Sequence, residues 1–180
     1  MEIEFNRRKF AELLLYVAEE SEDDPKFGAT KLNKIMYFSD FEAFGILGRP
    51  ITGASYRRLE RGPVPVEILS VLSELEREGE AIRVQTRYFH LLQKRVKPLR
   101  SPDLSLFRAD EIAIVDAVMN ELRTLNASEV SALSHLEVGW QIARDGEVIP
   151  YHSAYLSDRG PTAREGAVWE QVRHERQSRG

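Results

Sequence analysis

The residues of this sequence best suited to covalent chemistry are Ser134, His135 and Asp145, the polar set from which a hydrolase would be assembled. Neighbours on a helix project about 100° apart. Ser134 and His135 are therefore poorly placed to hydrogen-bond each other, and the spacing opposes a triad. The four histidines, His90, His135, His152 and His174, show none of the helix or hairpin spacings that bring metal ligands together. There is no cysteine, which removes thiolate metal sites, iron–sulfur clusters, disulfides and cysteine nucleophiles at once. Gly45-Ile46-Leu47-Gly48 reads as a helix end rather than a nucleotide cradle, and no glycine-rich phosphate loop or Gly-x-Ser-x-Gly elbow occurs. Glu74, Glu76, Glu78 and Glu80 read as a solvated helix face. The expectation is a protein that is not an enzyme, with no catalytic residue, no metal and no cofactor.

What remains is the chemistry of recognition. The net charge of −4 conceals an uneven layout. Residues 1–48 carry 6 basic and 10 acidic side chains, residues 49–100 carry 11 and 6, and residues 101–180 carry 8 and 13. Between 83 and 100 stand Arg83, Arg87, Lys94, Arg95, Lys97 and Arg100 with no acid. Such a patch suits phosphates or an acidic protein face; the alternative is a solvated hairpin. Lys31 and Lys34 lie one turn apart and would either meet an acidic partner or cap a neighbouring helix end. Tyr37, Phe41 and Phe44 share a helix face, as interface anchors or as core. His135 and Trp140 would pack on each other, with the indole N–H finding an acceptor.

The elements that must position these residues follow from periodicity. A helix over 5–20, capped by Asn6, turns Phe10, Leu13, Leu14 and Val17 to one side. A second starts at Thr30 as N-cap and ends near Gly45. Ile51–Leu59 reads as a strand with Gly53 inside it. Gly62-Pro63-Val64-Pro65 is a turn, with Pro65 as the first position of a third helix that ends at Gly79. Residues 81–97 read as two strands joined near Gln85–Arg87. Asp110 caps a fourth helix, and Asn126 or Ser128 caps a fifth that ends near His135. Residues 137–157 are expected to be irregular or extended, and a last helix runs from Thr162 to Gln177 with Trp169 on it. The fold class is mainly α (α+β), with winged-helix-like order and a small antiparallel sheet.

Three stretches together resemble one family. They are Lys31-Leu32-Asn33-Lys34-Ile35-Met36-Tyr37-Phe38-Ser39-Asp40; Gly53-Ala54-Ser55-Tyr56 followed by Arg61-Gly62-Pro63-Val64-Pro65; and Leu133-Ser134-His135, Gly139-Trp140, then Gly146 to Tyr151. In order and spacing they are similar to the Panacea domain of SocA-like antitoxins, over about residues 8–156. The resemblance implies an antitoxin that binds and neutralises a cognate protein toxin, in some members as an adaptor that delivers the toxin to a protease, with no catalysis and no cofactor. Gly53, Gly62, Pro63, Val64, His135 and Trp140 carry the structural motif. The partner-binding residues are expected among Lys31, Lys34, Tyr37, Phe41, Arg83, Arg87, Lys94 and Arg95.

The competing reading is a winged-helix DNA-binding regulator, with the basic hairpin along phosphates. Against it stand the sequence pI of about 5.7 and the acids Glu67, Glu74, Glu76 and Glu78 along the third helix. Residues 1–160 form one domain and 161–180 its C-terminal helical extension. No apolar run approaches the ~20 residues that cross a bilayer, and the N-terminus carries two acids and no apolar signal region. The expected location is the cytoplasm, with no membrane partner.

Overall fold

The computed structural model describes residues 3–89 and 91–156. The element order is α1 (Arg7–Glu20), α2 (Ala29–Leu47), β1 (Tyr56–Arg57), β2 (Val64–Pro65), α3 (Ile68–Arg77), β3 (Ala81–Tyr88), β4 (Leu91–Pro98), a 3-10 turn (Leu104–Leu106), α4 (Ala109–Leu122), α5 (Ala127–His135), α6 (Val138–Ile142) and a 3-10 segment (Tyr151–Leu156). The fold is mainly α with two small antiparallel sheets, β1–β2 and β3–β4. Among the described residues no helix is long and apolar enough to cross a membrane.

α2 is the axis of the molecule. Every residue from Lys34 to Phe41 is buried, more than two full turns, so the helix has no solvent face there. α1, α4, α5, β2 and the 3-10 segment Tyr151–Leu156 pack around it. The apolar stripe of α1 lies inward, and the Asn6 side chain accepts from the Lys9 N–H at 2.9 Å, as an N-cap should. The hairpin leans back on the helices: β4 meets α1 and α2, and β3 meets α3.

Several boundaries differ from the sequence expectation. Gly28, not Thr30, is the N-cap of α2, and Arg108, not Asp110, that of α4; Asp110 sits in the first turn. The expected strand over 51–59 shrinks to Tyr56–Arg57, because Thr52 is held by hydrogen bonds to Asp40 of α2 instead of by a ladder. Pro65 pairs with Tyr56 in β2, and α3 begins only at Ile68. The hairpin strands run on to Tyr88 and from Leu91, past the turn expected at Gln85–Arg87. Residues 137–157 are not simply irregular, since they contain α6 and a 3-10 segment. The expected last helix, Thr162–Gln177 with Trp169, and the extension 161–180 lie outside the described residues.

Candidate functional site

Two of the expected partner contacts are buried ammonium groups, and their surroundings explain why. Lys31 Nζ donates to Asp24 Oδ2 at 2.7 Å and to the carbonyls of Arg123 and Leu125, each at 2.9 Å. It closes the C-terminal end of α4, where backbone acceptors are left over. Lys34 Nζ donates to the Pro63 carbonyl at 3.0 Å. Burial pushes its pKa down to about 8. Neither is a surface contact, and neither is Tyr37 or Phe41. Tyr37, Phe41, Tyr56 and Tyr151 form an interior ring cluster, with Phe41 stacked on Tyr151 at 4.6 Å. From Lys34 to Phe41 α2 is covered on all sides, and Lys31, Lys34 and Asp40 serve the frame.

The frame is pinned at Asp40. This fully buried carboxylate accepts from the Thr52 N–H at 2.7 Å, the Thr52 hydroxyl at 2.5 Å, the Tyr56 hydroxyl at 2.7 Å and the Tyr151 hydroxyl at 3.3 Å. Burial raises its pKa, and the donors from Thr52 and Tyr56 oppose that rise. Burial also raises the phenol pKa of Tyr56 and Tyr151, with the Asp40 charge adding to it. One side chain thus ties α2 to residues 52–56 and to the distant Tyr151.

Around Gly62 the motif is equally closed. Its φ of +92° is left-handed, and a Cβ there would approach Lys34 Cε to 2.5 Å and collide with the Ser134 hydroxyl. Ser134 itself is fully buried and donates to the Ser131 carbonyl at 2.8 Å. The His135 ring stacks on Trp140 at 4.0 Å, Trp140 Nε1 donates to the Leu59 carbonyl at 3.1 Å, and the Arg58 guanidinium lies 4.1 Å from the indole centre. Asp145 pairs with Arg58. Ser134 and Asp145 are thus bonded to other groups, and the His135 ring is held by its stack on Trp140.

The open chemistry lies on the hairpin side. The register pairs Arg83 with Val96, Gln85 with Lys94 and Arg87 with Leu92, so Arg83, Arg87 and Lys94 share one face. Arg95 is turned to the other face, where its guanidinium donates to the Ser21 and Glu22 carbonyls and lies by the Phe27 ring. Arg100 bridges Glu12 and Glu80, each at 2.7 Å, and Arg83 is held by Glu76 of α3. The basic stretch is therefore no continuous patch. On its free face the hairpin, α3, β1–β2 and the start of α2 enclose a groove of about 440 Å³. Val66, Leu69, Leu72 and Val96 give it apolar walls, and no acid lines it. Arg57 joins Lys94 at the rim; it was missed in the sequence because β1 brings it there from far along the chain.

A family model described as the SocA-like antitoxin, Panacea domain, matches residues 32–141, from the first turns of α2 to α6. No curated protein matches the chain. The matched span holds most of α2, the Gly62 turn, the hairpin and the rim residues Arg57 and Lys94, and the chain belongs to the SocA-like antitoxin family with a Panacea domain.

Proposed function

We propose that this protein binds a cognate protein toxin and holds it inactive, acting in the cytoplasm without chemistry or cofactor of its own. The observation that carries the reading is the family match over residues 32–141, because that span includes Arg57, Arg83, Lys94 and the exposed apolar wall of the groove. The commitment of Ser134 and His135 to buried or stacked contacts supports a binding role over hydrolysis. The acids Glu74 and Glu76 on α3, one of which holds Arg83, disfavour a DNA groove as the partner.

Co-expression with the product of the adjacent reading frame tests the reading. Growth should be rescued, and the two chains should purify as a stable complex. A neighbour that stays toxic and unbound sinks it. Delivery to a protease makes a separate prediction: toxin levels fall when this chain is present and recover in a host without that protease, whereas simple inhibition leaves them unchanged.

A further inference from the structure

Three features meet on the groove between α3 and the hairpin. Its walls expose apolar surface, with Leu69 67% and Val66 40% accessible. Arg57, Arg83 and Lys94 stand among its lining residues with no acid, while Arg95, also a lining residue, sends its guanidinium to the other face of the hairpin. Arg83 and Arg95 are held by groups of the chain itself, whereas Arg57 and Lys94 are exposed and form no ion pair among the described residues. Apolar walls under unpaired cations are the complement of one kind of surface: apolar side chains flanked by carboxylates.

We propose that this groove seats an amphipathic acidic segment of the partner protein, with its apolar side chains on Val66, Leu69 and Leu72 and its carboxylates on Arg57 and Lys94. The inference rests on the partner being a protein toxin. Charge selects this occupant over the others. Residues 157–180 of the chain carry 4 acids and 5 arginines, a net of +1, and would not neutralise the rim. A second copy meeting the groove through the same face would set cation against cation. A nucleic acid would find its phosphates beside Glu76 and would leave the apolar walls without a use.

The test uses the full chain co-expressed with the adjacent gene product. A photo-crosslinking benzoylphenylalanine at position 69 is expected to capture a toxin peptide rich in both apolar and acidic residues. Capture of residues 157–180, of a second copy or of nucleic acid overturns the proposal, as does a complex that forms without a crosslink. In parallel, Leu69→Asp and the double variant Arg57→Glu/Lys94→Glu are expected to weaken the complex at least about 30-fold and to abolish rescue, since central anchors and rim charges carry such affinity. Arg144→Glu, on an exposed loop outside the groove, should leave affinity within about twofold. If both groove variants rescue growth with unchanged affinity, the groove is not the seat, and the antitoxin reading stands without it. If the wild-type chain neither rescues nor binds, the antitoxin reading falls and takes this inference with it.

Discussion

Lys31 and Lys94 carry the same ammonium into opposite surroundings. Lys31 is shut inside the molecule with three fixed acceptors, and Lys94 stands in solvent at the edge of an apolar groove with none among the described residues. The regions around them divide in the same way. In the α2 frame, Lys31, Lys34 and Asp40 are hydrogen-bonded inside the molecule and hold segments that are far apart in sequence. On the groove side, Leu69 stays exposed, and Arg57 and Lys94 form no ion pair among the described residues. The division teaches that the polar residues of the α2 signature hold the architecture, while the capacity to bind lies on elements that lean against that helix.

The sharpest way to break the comparison is at Asp40. Asp40→Ala strips Thr52 of the acceptor for both its N–H and its hydroxyl, in an interior closed to water. Tyr56 and Tyr151 retain the carbonyls of Met36 and Ala54 as acceptors. An orphaned buried donor costs about 1–3 kcal/mol, so the loss should be roughly 4 kcal/mol, read from urea unfolding. A loss below about 1 kcal/mol would mean the frame is held elsewhere.

Next come the two buried lysines, which differ in what they bond. Lys31→Met removes a cation from one carboxylate and two carbonyls and should destabilise by about 3 kcal/mol, as breaking a buried pair does. Among the described residues Lys34 has the one acceptor Pro63, so Lys34→Met should lose less than about 1 kcal/mol at neutral pH, the removed hydrogen bond being offset by relief of the buried charge. The pH dependence separates them further. Lys34 titrates at about 8 in the folded protein and at about 10.4 when unfolded. Between those values the unfolded chain binds the proton and the folded chain does not, so stability rises with pH. The wild type should gain about 2 kcal/mol between about pH 8 and pH 9.5 that Lys34→Met does not gain. Parallel curves for the two proteins would show that Lys34 is not held in a desolvated site.

How much of this was legible in the sequence depends on the range of each interaction. The caps at Asn6 and Asn126 were legible because a cap is a contact over two or three residues. The common face of Arg83, Arg87 and Lys94 was not legible, because the turn was expected at Gln85–Arg87 and the register that sets the face belongs to strands that run on to Tyr88 and from Leu91. The burial of Lys31 and Lys34 was not legible. Their one-turn spacing was plain, but the groups that cover them, Arg123, Leu125 and Pro63, arrive later in the chain. The short α6 fell below the length at which a helical period can be read, and Pro65 fits a helix start and an edge strand equally well. Asp40 gave one signal, a lone carboxylate inside an apolar helix stretch, yet its partners Thr52 and Tyr151 had no local mark.

The smallest expected effect is the one on which the comparison turns. Leu69 is largely exposed already, and the side chains of Arg57 and Lys94 form no ion pair among the described residues, so their loss removes little that the folded state holds and the unfolded state does not. Leu69→Asp should cost no more than about 0.5 kcal/mol through lower helix propensity. Arg57→Glu/Lys94→Glu should stay within about 0.5 kcal/mol, with relief of cation crowding near Arg83 working in its favour. Urea unfolding of these variants beside Lys31→Met measures the contrast directly. If Lys94→Glu proved as damaging as Lys31→Met, the groove rim would belong to the frame, and a surface kept unsatisfied for a partner would have to be sought on another face. A stable Lys94→Glu that no longer binds would separate the two uses of lysine within a single fold.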